Sequence, residues 1–324
     1  DVCSSDLAEA ASNPPAATGI AALRSEATNT FGILPDKMPG ADKDTPAMVQ
    51  LGKKLYFDTR LSVNNSISCN SCHIVDNVKA GADGEPTSPG AHKKRGDRNS
   101  PTVLNAGYQF VQFWDGRAAN LEEQAKGPIL NPVEMGMPND AEVLNRLSAD
   151  AEYQKLFQKA FPNTQKSITY DHVANAIAAF ERTLKTHDRF DDFQKGDHQA
   201  LKPLEQQGLK LFLETGCTTC HNGPLLGGNS YQKVGLVNPY DNKEDVGRAK
   251  VTKDEDDNFK FKVPILRNIA LTGPYFHDGK VASLDETVRK MGWMQLGREF
   301  KDEEVKAIVA FLHTLSGKIT AQGL

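Results

Sequence analysis

"SISCNSCHIV" (66–75) and "ETGCTTCHNG" (214–223) each carry Cys-x-x-Cys followed at once by His. A Cys-x-x-Cys pair alone fits a zinc half-site, a redox dithiol or a haem attachment site. The adjoining histidine selects the third, because both sulfurs then form thioethers to the haem vinyl groups while the imidazole ligates the iron from one face. Zinc would need four ligands in one place, whereas Cys69 and Cys217 lie in separate halves of the chain. Two covalent haems are therefore predicted, one on Cys69, Cys72 and His73 and one on Cys217, Cys220 and His221. Thioether attachment is completed outside the bacterial cytoplasm, so a periplasmic location is expected. Haem consumes four of the five cysteines. The fifth, Cys3, reads as an incidental thiol, with a lipid anchor as the alternative.

The halves align well beyond the motif. Upstream, "LGKKLYFD" (51–58) echoes "QGLKLFLE" (207–214), each an amphipathic helix leading into the haem motif. Downstream, "PTVLNA" (101–106) echoes "PILRNI" (264–269), and "FWDGRAANLEE" (113–123) echoes "FHDGKVASLDE" (276–286). Asn120 and Ser283 stand where an N-cap belongs, with Glu123 and Glu286 three residues on, so a helix should begin at each. Finally "AIAAFERTL" (176–184) matches "AIVAFLHTL" (307–315), a closing helix with one apolar face. The expected fold is mainly α, two cytochrome c-type domains related by internal duplication, each with one covalent haem. Their bounds are placed at 31–187 and 188–324.

Composition agrees with a globular chain. Of 324 residues, 39% are hydrophobic and 25% charged, enough for two cores. A net charge of −4 argues against nucleic acid, which demands a basic face, and no apolar run reaches membrane-spanning length. The chain begins at Asp1 without an initiator Met, and is expected to be processed or truncated. Residues 1–30, rich in Ala, Ser, Asn and Pro, read as a flexible lead-in.

A duplicated fold informs most where its copies differ. "VRKMGW" (288–293) puts Met291 at the end of the helix capped by Ser283, where a thioether would supply the sixth iron ligand and raise the potential. The bland alternative is Met as core filler. At the matching place the first half reads "AKGPIL" (125–130), with Pro128 at the Met291 position and Met135 and Met137 some way on. The first haem should therefore have an open face or borrow a ligand from elsewhere.

On "CNSCH", "RNSPTVLNA", "VQFWDGRAANLEEQAKGPILNPVEM", "GCTTCHNG", "LRNIALTGPYFHDG" and "MGWMQLG", the sequence resembles the bacterial dihaem cytochrome c peroxidases over about residues 31–317. The resemblance implies reduction of hydrogen peroxide with electrons from a small cytochrome c or a cupredoxin. It makes His73 the proximal ligand of the peroxide-reducing haem and His92 that haem's displaceable distal ligand. Gln124 and Glu134 match distal-pocket residues, and Trp114 the aromatic between the haems. His221 and Met291 match the ligands of the electron-accepting haem. Asn99, Thr272 and Pro274 match residues whose carbonyl oxygens hold one calcium ion, with His277 beside it. A homodimer is expected.

The chemistry is consistent with those roles. Peroxide cleavage needs an open coordination site, a proton carrier and an electron source; Glu134 suits the second, as a carboxylate whose pKa would rise in a half-buried pocket. Gln124 can orient bound oxygens but cannot titrate. Residues 80–100 are crowded with Gly, Pro and charge, a segment that should open cheaply and release His92. The alternatives are an exposed loop histidine for His92, a solvated turn residue for Glu134 and a core aromatic for Trp114. His172, His187, His198 and His313 receive no role. "DNKEDVGR" and "KDEDDNF" lack the EF-hand register and read as solvated surface. Two other activities fit the same fold: a dihaem electron carrier without peroxidase activity, and a cofactor-maturing oxidase of the methylamine-utilisation type, whose second haem takes a Tyr where this chain offers Met291.

Overall fold

In the computed structural model, which describes residues 16–320 apart from Asn77, twelve α-helices and two small sheets follow the duplicated plan. Cys3 lies outside the described residues. The helices are α1 (Ala16–Phe31), α2 (Pro46–Tyr56), α3 (Cys69–Cys72), α4 (Leu121–Leu130), α5 (Asp140–Ser148), α6 (Ala151–Ala160), α7 (Tyr170–Glu181), α8 (Arg189–Gln194), α9 (Pro203–Glu214), α10 (Ala249–Thr252), α11 (Leu284–Met291) and α12 (Asp302–Thr314). Strands β1 (Thr186–His187) and β4 (Lys318–Ile319) pair antiparallel, as do β2 (Tyr231–Lys233) and β3 (Lys260–Lys262).

In each half, the helix leading into the haem motif crosses the closing helix at a glycine. A Cβ on Gly52 of α2 would stand 1.7 Å from the Ala176 carbonyl oxygen of α7, and one on Gly208 of α9 would stand 1.9 Å from that of Ala307 in α12. Backbone cannot step aside at such a distance, so only glycine lets the two axes approach this closely. The predicted caps are present: the Asn120 and Ser283 side chains accept from the backbone N–H of Glu123 and Glu286, starting α4 and α11. Asn105 and Asn268 both adopt φ near +60°, and their N–H groups bond the carbonyls of Leu184 and Leu315 at the ends of the closing helices.

The buried apolar residues sort into two main clusters. One runs from Leu51 to Leu184, and the other from Phe190 to Leu315. The second also takes in Ala27 and Phe31, which corrects the reading of residues 16–30 as a flexible lead-in. The alanines favour helix, and Ile20, Leu23, Ala27 and Phe31 make a single stripe at helical spacing. Phe31 meets Phe190 edge-on at 5.7 Å and Phe212 at 6.3 Å, so α1 packs on the half farther from it in sequence.

The halves meet through equivalent positions. Aligned on Pro101 and Pro264, Asn99 corresponds to Lys262; aligned on the FWDG and FHDG stretches, Trp114 corresponds to His277. The Asn99 N–H donates to the His277 carbonyl at 2.7 Å, and the Lys262 N–H donates to the Trp114 carbonyl at 2.7 Å. The Trp114 and His277 rings face each other edge-on at 6.5 Å. A pseudo-twofold axis therefore passes between the two halves at this wall.

Candidate active site: two cavities and a shared wall

Each Cys-x-x-Cys-His motif opens onto a cavity, one of about 1290 Å³ in the N-terminal half and one of about 1660 Å³ in the C-terminal half, both partly continuous with solvent. Cys69, Cys72 and His73 line the first, and Cys217, Cys220 and His221 the second. The cysteines are free of disulfides. Burial pushes the Cys69 and Cys72 thiols up, to about 12 and about 11, the opposite of the acidified thiol of a redox dithiol. Among the described residues no group of three or more His, Cys, Asp and Glu is placed to hold a metal ion.

The imidazoles are set for iron. His73 Nδ1 lies 2.9 Å from the Pro101 carbonyl, and His221 Nδ1 lies 3.1 Å from that of Leu226. A carbonyl only accepts, so Nδ1 carries the proton and Nε2 keeps its lone pair free for a metal. Such a bond also fixes the ring's rotation, as it does for most ligating histidines. Burial lowers both pKa values, holding the rings in the neutral form a metal requires. The Tyr56 hydroxyl donates to the His73 carbonyl at 2.7 Å and steadies the motif from behind. These donors fit a c-type haem in each cavity.

The distal walls differ. Met291 closes α11 and lines the C-terminal cavity together with His221, while Met294 is buried in the apolar cluster and outside that wall. In the N-terminal cavity Pro128 stands at the Met291 position, inside α4, and offers no donor. Gln124 of α4 and Glu134 of the turn after it line this wall. Glu134 is held by a 2.9 Å bond from Asn131 Nδ2. Burial raises its pKa, outweighing the opposing pull of Arg117 and Asn131. Arg117 lies 3.5 Å from the centre of the Phe113 ring, at the same wall. Met135 also reaches this cavity but belongs to the N-terminal apolar cluster, and Met137 does not reach it.

His92 is placed otherwise than a distal iron ligand requires. It is exposed, outside the N-terminal cavity, and its ring lies over Gly136. The reason is the tight turn that carries it. Gly90 N–H bonds the Lys94 carbonyl, Ala91 N–H bonds the Glu134 carbonyl, and a Cβ on Gly90 would stand 2.1 Å from the Val133 carbonyl. Nor is the 80–100 segment bare of buried contacts, since Ala80, Ala82, Ala91 and Asn99 are all buried.

Trp114 lines both cavities, and its indole N–H donates to the Asn99 carbonyl at 2.9 Å. Thr272, Pro274 and Asn99 all line the C-terminal cavity, beside His277. Two wall residues carry no signal when one half is read by itself. Glu181, fully buried at the N-terminal cavity, has its pKa pushed up to about 8 by burial; Lys262 lines both cavities at 4% exposure. The repeat reveals them, since Glu181 stands opposite Leu312 and Lys262 opposite Asn99.

The family model for di-haem cytochrome c peroxidase matches residues 46–199, and that for cytochrome c matches 205–316. A cytochrome c551 peroxidase of Pseudomonas aeruginosa is 46% identical over 305 residues, covering 92% of this chain and 87% of its own. One of Nitrosomonas europaea is 48% identical over 273 residues, covering 83% and 80%. Among solved structures, a MauG-like protein associated with microbial copper homeostasis superposes with a TM-score of 0.78 at 30% identity, covering 87% of this chain and 93% of that one.

Proposed function

The chain belongs to the di-haem cytochrome c peroxidase family, and on that premise we propose how its two unlike cavities divide the work. The overall reaction is H₂O₂ + 2 e⁻ + 2 H⁺ → 2 H₂O. One haem, held by Cys217, Cys220 and His221, would accept electrons from a small cytochrome c or a cupredoxin, and the other, held by Cys69, Cys72 and His73, would take them on to peroxide. The observation that carries this reading is the asymmetry of the distal walls on one repeated backbone plan: His221 faces a cavity that also holds Met291, whereas His73 faces one lined by Pro128, Gln124 and Glu134.

Each haem supplies an iron that exchanges one electron at a time. The rest is done by side chains. His221 and Met291 would hold the C-terminal iron, and thioether ligation would raise its potential and favour the reduced form. The N-terminal side admits peroxide beside Gln124 and Glu134. Glu134 takes the proton from one peroxide oxygen and delivers it to the other, which leaves as water; Gln124 holds the oxygens in line by hydrogen bonding. The raised pKa of Glu134 brings it nearer the working pH, where a carboxyl group shuttles protons best. Trp114, in the wall common to both cavities, lies between donor and acceptor.

A calcium ion on the carbonyls of Asn99, Thr272 and Pro274 belongs to the same reading. The Asn99 carbonyl already accepts from Trp114, which leaves its second lone pair for a hard cation. His92 would act as a switch, ligating the N-terminal iron in the fully oxidised protein and taking up a position like that over Gly136 once the C-terminal haem is reduced. Met291 favours peroxidase over the cofactor-maturing activity, which goes with a Tyr-ligated second haem. The test is steady-state peroxide reduction by the haem-loaded protein with a reduced small cytochrome c, before and after one-electron reduction. Activity that needs the pre-reduction supports the whole scheme; peroxide consumption with no donor oxidation overturns it.

A further inference from the structure

The wall between the cavities holds one charged group with no counter-charge. Arg98 pairs with Asp115 and Asp245 at 2.6 Å each, and Arg117 pairs with Asp115 at 3.0 Å. Lys262 is more deeply buried than either, and no carboxylate among the described residues lies within ion-pairing distance of it. Its Nζ makes one hydrogen bond, donated to the Val111 carbonyl at 3.1 Å, leaving two donors of the ammonium unused. Its backbone N–H donates to the Trp114 carbonyl, which anchors the residue in the contact between the halves.

The C-terminal cavity makes this cation conspicuous. Among the described residues that line it, Lys262 is the only Lys or Arg, and none is Asp or Glu. A haem brings two carboxylates, and an ionised carboxylate enters an apolar wall only against a cation. Arg98, Arg117 and Lys262 all line the N-terminal cavity, whereas Lys262 is the one such cation on the C-terminal wall among the described residues.

We propose that Lys262 is a positioning residue whose ammonium group binds a propionate of the C-terminal haem, turning that haem's carboxylate edge toward the wall it shares with Trp114. In the protein alone, burial depresses the Lys262 pKa to about 7, with Asp115 the charge that opposes the fall. A propionate at Nζ restores the charged form. The repeat gives a second argument: Asn99, whose place Lys262 takes in the other half, is a residue of the proposed calcium site. One half would recruit a cation to this wall, and the other carries its own. The inference needs only a haem in the C-terminal cavity, and peroxide turnover does not enter it.

The experiment is a spectroelectrochemical titration of haem-loaded wild type, Lys262→Met and Lys262→Arg. Positive charge beside a haem favours the reduced state. Loss of it in Lys262→Met should shift the C-terminal oxidised-to-reduced ratio tenfold or more toward oxidised, a fall of about 59 mV for one electron. Lys262→Arg should stay near wild type. A Met variant that takes up no haem is answered by resonance Raman spectra of wild-type protein, in which the C-terminal propionate bending band should lie at the frequency of a hydrogen-bonded carboxylate. Unchanged potentials in Lys262→Met, a shift confined to the N-terminal haem, or a wild-type band at the free-carboxylate frequency would each overturn the proposal.

Discussion

In Glu134→Gln the side chain keeps its length and planar head but can no longer carry a proton. The Asn131 amide that now donates to Glu134 Oε1 at 2.9 Å can donate equally to the Gln oxygen, so the turn at 131–136 should hold its shape. What goes is the proton carrier. A positioned acid–base group contributes typically 10²–10⁴-fold, and at about 1.36 kcal/mol per tenfold this is roughly 2.7–5.4 kcal/mol of barrier. Stability should move the other way. Burial raises the folded-state pKa of Glu134 above its unfolded value. The carboxyl group's stabilising contribution is therefore full below the unfolded pKa and is lost as pH rises through the folded pKa. At neutral pH the Gln variant should melt no lower than wild type, and the gap should close on acidification. The assay is turnover of one-electron-reduced enzyme from pH 4.5 to 8, beside haem spectra and thermal melts of the same samples. The wild-type rate should fall on the acid side as Glu134 protonates, and the variant's low rate should be flat there. Near-normal turnover with unchanged spectra would refute the assignment and move proton transfer to another group.

Met291→His should lower the C-terminal potential by on the order of 0.2 V, because imidazole favours ferric iron more than thioether does; an unchanged redox titration would remove Met291 from the iron. His92→Gly should give an oxidised enzyme that is high-spin and binds peroxide without pre-reduction, while wild type is low-spin until the C-terminal haem is reduced. A wild type already high-spin when fully oxidised would leave His92 a loop residue. Moving such a switch from 1:99 to 99:1 takes about 5.5 kcal/mol. Calcium chelation should slow turnover and weaken dimerisation without releasing the covalent haems, and indifference of both activity and sedimentation to chelator would remove the calcium site.

The legible features were those whose cause is local in sequence. Haem attachment needs its three ligands within five residues, and the caps at Asn120 and Ser283 bond N–H groups three residues on, so both are written in short strings. Gly52 and Gly208 give no such sign, since their reason is a helix brought against them from about a hundred residues away or more. The α1 helix was hidden by composition: Ala, Ser and Asn suit a loose segment, and only the partners Phe190 and Phe212 make its Phe31 stripe a core face. The position of His92 depends on the turn at Gly90 seated against Val133 and Glu134, a fit of backbone to backbone with no side-chain pattern. Lys262 and Glu181 are different, because setting the two halves side by side finds them as charged residues where the other copy has none.

The paired bonds Asn99 to His277 and Lys262 to Trp114 also bear on how such a protein could arise. When each contact is the image of the other, the surface is isologous, the kind by which two identical chains close a symmetric dimer. A single-haem ancestor could have built this interface from one short sequence, meeting itself. In that state every substitution is made twice, so an open iron and a saturated one, or a Trp and a His at the same place, are out of reach. Joining the copies into one chain would leave the contact as it was and free each side to change by itself. On the proposed reading, a division of labour between the haems would follow from covalent linkage, with no new interface to design.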